Sequence, residues 1–142
     1  MIIETVKNRI RIKDKVSSWE EAIREAAQPL LEDGCIHESY IDAMIENVIQ
    51  NGPYMVLIPG FALPHARPEM GVEKTGISCL KLNESVLFPE NMEVKVVMAL
   101  AAGDANTHID ALTELTDLLM DDDRMEEFFN SQTESEILGI LK

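Results

Sequence analysis

Basic residues are scarce in this sequence. Its 142 residues include 12 lysines and arginines against 26 aspartates and glutamates, a formal net charge of −14 at pH 7. Nucleic acids and anionic membranes are bound by basic side chains, so this balance argues strongly against both as partners. Aromatic residues are only 5% of the chain, which argues against a base-stacking surface. An acidic body instead suits a basic protein partner that must associate quickly.

Cysteine is equally scarce. Cys35 and Cys79 are the only two, and they share no motif. We expect no signal peptide, because Glu4 brings a charge too early, and no apolar run reaches the ~20 residues that span a bilayer. The sequence therefore predicts a cytoplasmic protein in a reducing compartment, with both thiols free.

Several catalytic motifs are missing from the sequence. It contains no Walker loop, no glycine-rich nucleotide fingerprint, no GxSxG motif and no HxxxH or CxxC spacing. The run Asp121-Asp122-Asp123 lacks the spaced ligands of a calcium loop and is expected to begin a helix. We therefore expect no nucleotide chemistry, no catalytic triad, no metal and no cofactor.

Hydrophobic residues, by contrast, make up 46% of the chain, enough for one core, and we expect a single domain over residues 1–142. Periodicity predicts strands at 10–13, 55–58, 75–82 and 94–102, with a loop at 83–91. It predicts two helices at 18–33 and 38–51. Three further helices should begin at about residues 108, 121 and 133. Pro29 should kink the first helix or begin a new turn. This order predicts an α/β fold, a mixed β-sheet flanked by helices on both faces in three layers.

A proline-rich segment, residues 59–68, follows the apolar residues 55–58, which we interpret as a short buried strand. Its three prolines should prevent a helix or a central strand and hold His65 in a set position, with Arg67 two residues further on. An imidazole can be a nucleophile near neutral pH, and a guanidinium can pair with phosphate oxygens. This pattern suits phosphoryl handling, and the alternative is a turn with an incidental surface histidine.

A second histidine, His108, should lie just inside the helix that follows the most apolar run, 94–102. Asn106 and Thr107 are candidate caps, and a helix N-terminus presents free N–H groups to anions. If the two strands that precede the histidine loops are parallel neighbours, His65 and His108 will face each other. Otherwise His108 is an ordinary polar residue of a first helical turn.

Three motifs taken together resemble a known family. They are Gly52-Pro53-Tyr54, the loop Pro64-His65-Ala66-Arg67-Pro68-Glu69, and Asn106-Thr107-His108. The sequence is similar to the enzyme IIA component of the sugar phosphotransferase system, mannitol–fructose class, and is most similar to ascorbate-type proteins. The likeness covers nearly the whole chain.

The resemblance implies a phosphocarrier. His65 would accept a phosphoryl group on Nε2 from the phosphohistidine of HPr and pass it to a cysteine of the cognate enzyme IIB, for uptake of a sugar that is ascorbate-like. His108 would hydrogen-bond the phosphate. Donor groups of Arg67, Asn106 and Thr107 would complete the phosphate site.

One position departs from the family pattern. Mannitol-type members carry an arginine where this sequence has Asn47, which favours the ascorbate-like branch, and Arg67 would then substitute for the missing guanidinium.

An apolar rim of Phe61, Leu63 and Met70 could dock the partner proteins, unless these residues fold into the core. Two other functions stay open: a regulatory module whose phosphorylation controls a partner, and a non-catalytic scaffold if the histidines lie far apart.

Overall fold

The computed structural model describes residues 2–142, which form one mixed five-stranded sheet and six α-helices. The strands are β1 (Ile10–Lys13), β2 (Val56–Ile58), β3 (Gly60–Ala62), β4 (Gly76–Phe88) and β5 (Met92–Ala101). The helices are α1 (Ile2–Val6), α2 (Trp19–Glu32), α3 (Glu38–Asn51), α4 (Ala105–Leu119), α5 (Asp122–Phe129) and α6 (Glu134–Leu141). None of these helices is long and apolar enough to cross a membrane.

The strands lie in the order β1-β4-β5-β3-β2. β1 is parallel to β4 and β3 is parallel to β5, whereas the β4–β5 and β2–β3 pairs are antiparallel. The predicted mixed sheet is therefore confirmed. β5 lies at its centre, and side chains of β5 are buried on both faces, as its near-continuous apolar run predicts.

Helices cover both faces of the sheet. One core lies between the sheet and α2 and α3, and it contains Val97, Ala99 and Ala101 of β5. The other core lies beneath α1, α4, α5 and α6, and it contains the intervening residues Met98 and Leu100. Because side chains alternate along a strand, one central strand supplies both cores, and the predicted three-layer arrangement is confirmed.

Local signals account well for helix α2. The Ser18 hydroxyl accepts a hydrogen bond from the backbone N–H of Glu21 at 3.2 Å, so the expected serine cap is present. The helix ends before Gly34, whose φ of +75° suits glycine. Pro29 neither ends the helix nor begins a separate one, because α2 continues to Glu32 and the Asp33 N–H still donates to the Pro29 carbonyl.

The loop predicted at 83–91 is wrong over most of its length. β4 continues to Phe88, with a shift of register between Lys81 and Val86. Val86 and Phe88 are buried and Leu87 is exposed, an alternation that is typical of a strand. The sequence pattern did not show this part of β4, because the residues just before Val86 are polar and lie where the register shifts. The short helix α1 was not predicted.

The residues around β2 and β3 also differ from expectation. β2 is a half-exposed edge strand and not a buried one, although Met55 just before it is buried. The proline-rich segment does contain an interior strand, since β3 lies between β2 and β5. Proline excludes a central strand only where the lost N–H is needed, and Pro59 precedes β3 instead of lying within it.

Gly60 makes the reversal from β2 into β3 possible. Its φ is +92°, and a Cβ at this position would lie 2.8 Å from the ring of Phe129. We expect Gly60→Ala to lower the free energy of unfolding by roughly 1–3 kcal/mol, through backbone strain and the ring contact. Urea unfolding of the two proteins measures this difference.

Gly139 is the matched control, because it lies in α6 with open space where a Cβ would be. Gly139→Ala should raise the free energy of unfolding by about 0.5–1 kcal/mol, since alanine favours a helix. Equal effects of the two substitutions would contradict the role given to Gly60.

Candidate active site

The segment that carries His65 is anchored on both sides. The Leu63 N–H donates to the Met55 carbonyl at 2.8 Å, and the Leu100 N–H donates to the Pro64 carbonyl at 3.0 Å. The side chain of Leu63 is fully buried. The backbone is therefore fixed up to the residue before His65, and the imidazole emerges half-buried at the end of β3.

The imidazole of His65 is held in one orientation. Its Nδ1 lies 2.7 Å from the backbone carbonyl oxygen of Leu63. A carbonyl oxygen can only accept a hydrogen bond, so Nδ1 must carry the proton. In the neutral ring the lone pair then lies on Nε2, the nitrogen that does not bond to Leu63.

His108 lies in the first turn of α4. That helix begins at Ala105, three residues earlier than expected, and its N-cap is Asp104. The Asp104 carboxylate accepts a hydrogen bond from the Thr107 N–H at 2.7 Å. Asn106 and Thr107 are therefore first-turn residues and not caps, because an ionised carboxylate precedes them and takes that role.

The two histidines lie side by side, although the 55–58 strand, whose parallel pairing with the 94–102 strand was the condition for this, is not a neighbour of β5. Their ring centroids are 4.8 Å apart, with an interplanar angle of 59°. The strand responsible is β3, which is parallel to β5 and adjacent to it, and not the 55–58 strand of the sequence prediction. The carboxyl ends of two parallel neighbours lie at the same edge of a sheet, so β3 and β5 deliver His65 and α4 to one place.

A cavity of about 560 Å³ opens over the histidine pair. It is lined by Asn47, Asn51, Tyr54, His65, Ala66, Arg67, Pro68, Ala102, Asp104, Ala105, His108 and Ile109. Arg67 thus lines the same cavity as both histidines. Asn106 and Thr107 do not line the cavity, and the Thr107 N–H is already bonded to Asp104.

Arg67 is the basic side chain of the cavity lining, and it is exposed. Within residues 2–142 its guanidinium makes no ion pair. It is therefore available to an anion that enters the cavity.

Asn51 and Tyr54 of the cavity were not identified as site residues from the sequence, and Asn47 was identified only as the position of the arginine that the resemblance implies in mannitol-type members. Asn47 and Asn51 lie one turn apart on α3, so both amides face the same side of the helix. Tyr54 packs its ring edge-on against His65, with centroids 5.9 Å apart. The i, i+4 pair of asparagines just before Gly52-Pro53 was a signal in the sequence that pointed to them.

The predicted apolar rim is wrong for two of its three members. Phe61 and Leu63 are fully buried, whereas Met70 is 47% exposed. Phe61 belongs to the strand β3 and faces the ring of Phe128, with centroids 6.5 Å apart. A residue that is part of an interior strand cannot also dock a partner.

Two charges in the site are adjusted by their surroundings. Burial, and secondly the nearby His65, lower the pKa of His108 below its usual value of 6.5. Hydrogen bonds from the backbone and side chain of Thr107 lower the pKa of the Asp104 carboxyl. At neutral pH His108 is therefore uncharged and Asp104 is ionised. Among the described residues, no group of three or more His, Cys, Asp or Glu side chains could hold a metal ion.

We expect the pKa of His108 to lie below 6.5 and to rise when His65 is replaced by alanine. The substitution removes the neighbouring ring, which opposes a positive charge on His108, and gives solvent more access. Histidine proton shifts followed by NMR from pH 4.5 to 9 measure both values. An unchanged or lower His108 pKa in His65→Ala would contradict this electrostatic account.

Comparisons with known proteins identify the family of this chain. The family model described as "Phosphoenolpyruvate-dependent sugar phosphotransferase system, EIIA 2" matches residues 5–142. The chain is 38% identical to the mannitol-specific cryptic phosphotransferase enzyme IIA component of Escherichia coli over 136 residues, 95% of this chain and 92% of that protein. It is 33% identical to the ascorbate-specific PTS system EIIA component of Escherichia coli, over 93% of this chain and 88% of that protein.

Solved structures give the same result. The solution structure of the mannitol-specific cryptic enzyme IIA from Escherichia coli matches with a TM-score of 0.91 and 36% identity, over 99% of this chain and 98% of that one. An Escherichia coli complex of enzyme IIAMTL with phosphorylated enzyme IIBMTL matches with a TM-score of 0.82 and 29% identity, over 94% and 93% of the two chains. The chain belongs to the EIIA 2 family of the phosphoenolpyruvate-dependent sugar phosphotransferase system, and it is a phosphotransferase.

Proposed function

We propose that this protein carries a phosphoryl group on Nε2 of His65, accepts it from the phosphohistidine of HPr, and passes it to a cysteine of a cognate enzyme IIB during sugar uptake. The observation that carries the proposal is the bond of His65 Nδ1 to the Leu63 carbonyl, which leaves Nε2 as the free nucleophilic atom beside His108. We place the transfer in the cytoplasm, where the buried thiols Cys35 and Cys79 stay reduced.

The first transfer exchanges one P–N bond for another. The Nε2 lone pair of His65 attacks phosphorus in line as the P–N bond to the HPr histidine breaks, and the departing electron pair returns to that ring. The His65 ring gains positive charge as the new bond forms, because both of its nitrogens are then substituted. The Leu63 carbonyl 2.7 Å from Nδ1 stabilises that charge in place.

The phosphoryl oxygens need donors, and the cavity has several. His108 is neutral and half-buried, so one ring N–H can donate without the repulsion that a cation would exert on a charged His65 ring. Arg67 can pair with two oxygens, and Asn47 and Asn51 also line the cavity with their amides as further donors. Charge-assisted bonds of this kind contribute about 1.5–3 kcal/mol each. We keep Asn106 and Thr107 as weaker candidates, because neither lines the cavity.

The second transfer follows the same geometry in reverse. A thiolate of enzyme IIB attacks phosphorus, an S–P bond replaces the P–N bond, and the electron pair returns to Nε2 of His65. The cavity is open to solvent, and Ile109 on its rim is 57% exposed, so a partner can approach the histidine pair. A solved complex of enzyme IIAMTL with phosphorylated enzyme IIBMTL supports this pairing of partners. The family match over residues 5–142 supports the proposal of a single domain over residues 1–142.

We expect the wild type, but not His65→Ala, to become labelled when incubated with enzyme I, HPr and labelled phosphoenolpyruvate, because the alanine variant lacks the accepting nitrogen. The label should be stable to base and labile to acid. The control is His37→Ala, which removes an exposed imidazole from the N-cap of α3 that makes no capping hydrogen bond. Equal labelling of His65→Ala and the wild type would refute the assignment.

The same assay tests the second histidine. His108→Ala should still accept label on His65, but roughly ten-fold to a hundred-fold more slowly, because one donor to the phosphoryl oxygens is lost. An unchanged rate would remove His108 from the mechanism.

We expect the labelled protein to pass its phosphate to an ascorbate-type enzyme IIB faster than to a mannitol-type one. The support for an ascorbate-like substrate is Asn47, at the position where the family resemblance implies an arginine in mannitol-type members, and the 33% identity to an ascorbate-specific component. The 38% identity to a mannitol-specific component supports the opposite order, so both IIB proteins belong in the assay. Faster transfer to the mannitol type would contradict the substrate, and no transfer to either would favour the regulatory alternative.

A further inference from the structure

Tyr40 has a buried hydroxyl group that the proposed transfer does not use. The side chain lies on α3 and is fully buried. Its oxygen donates to the Leu100 carbonyl at 2.7 Å and accepts from the Ala66 N–H at 3.0 Å, and it also lies 3.2 Å from the Ala66 carbonyl. One phenol therefore bonds two backbone segments that are distant from each other in sequence.

The two segments are those that position the histidines. Ala66 follows His65 directly and lines the cavity. Leu100 is near the end of β5, which leads into the Asp104 cap of α4 and so to His108. The Leu100 N–H also donates to the Pro64 carbonyl at 3.0 Å, so backbone bonds hold the residue before His65 and the Tyr40 hydroxyl holds the residue after it.

The chemistry of the hydroxyl suits a permanent structural bond. A phenol carries one proton, which serves the shorter contact to Leu100, while its lone pairs accept from Ala66. Burial raises the pKa of Tyr40 to about 12, so the proton stays in place throughout the physiological range. Removing the oxygen would leave a backbone N–H of Ala66 without its acceptor, in a segment that lies outside any helix or strand.

We propose that Tyr40 is a positioning residue for phosphoryl transfer, whose hydroxyl fixes the distance between His65 and His108 by tying the backbone after His65 to the end of β5. The inference rests on the proposed function, because it assumes that His65 is the phosphorylated residue. It assigns to α3 a part in the geometry of the site in addition to the asparagines that line the cavity.

The test compares Tyr40→Phe with Ser78→Ala. Both substitutions remove one fully buried hydroxyl that donates to a backbone carbonyl, and the Ser78 hydroxyl, which donates to Ala26, does not line the cavity. With phospho-HPr as donor, Tyr40→Phe should lower the maximal rate of His65 phosphorylation about ten-fold and change the KM for HPr less than two-fold. Ser78→Ala should keep both constants within two-fold of the wild type.

NMR measures the tautomer of the His65 ring, which a loss of stability alone does not change. In the wild type the ring nitrogens of His65 should show a single tautomer with the proton on Nδ1, and Tyr40→Phe should shift them toward a mixture. A Tyr40→Phe protein with the transfer rate and the ring signals of Ser78→Ala would overturn the positioning role. A wild type that takes no label on His65 would instead refute the proposed function itself.

If Tyr40→Phe fails to fold, amide hydrogen exchange in the wild type tests the hydrogen bond from the Ala66 N–H to the Tyr40 hydroxyl without any variant. The Ala66 amide should exchange at least ten-fold more slowly than those of His65 and Arg67, for which no hydrogen bond is found within residues 2–142. Exchange of Ala66 at the rate of these two neighbours would overturn the inference.

Discussion

The parallel pairing of β3 with β5 is the constraint on which the site depends. β3 is only three residues long, yet its register with Val94, Val96 and Val97 brings the end of the proline-rich segment to the end of β5. Parallel neighbours deliver their following loops to one edge of the sheet. Two histidines 43 positions apart in sequence, at 65 and 108, therefore come within 4.8 Å as ring centroids.

The electrostatics of the site differ from those of the whole molecule. A protein with a net charge of −14 repels a phosphoryl group at long range, but the cavity lining includes a single carboxylate, Asp104, already bonded to the N-terminal turn of α4. The remaining polar lining is neutral or basic. The acidic exterior therefore suits the proposed transfer from a basic protein donor better than the capture of free phosphate.

The sequence predicted much of this arrangement, for identifiable reasons. Periodicity located α2 and α3 and the buried strand β5, and the motifs around His65 and His108 identified residues that line one cavity together with Arg67. The sequence prediction failed where pairing between distant segments decides the secondary structure. β3 is too short to show a period, and the far half of β4 begins with polar residues at a register shift. Tyr40 was visible only as an apolar position of α3, because periodicity does not show what a buried hydroxyl bonds.

The residues of the cavity come from three separate elements, so their relative positions depend on the contacts between those elements. His65 follows β3, His108 lies in the first turn of α4, and Asn47 and Asn51 lie on α3, so the polar side chains of the cavity do not share one backbone segment. Their relative positions are set by the sheet and by the few bonds that cross between elements, among them those of Leu100 and Tyr40. Phosphoryl transfer depends on in-line placement more than on covalent chemistry. For the proposed transfer, the bonds between elements therefore set the positions of His65, His108 and the asparagines relative to one another.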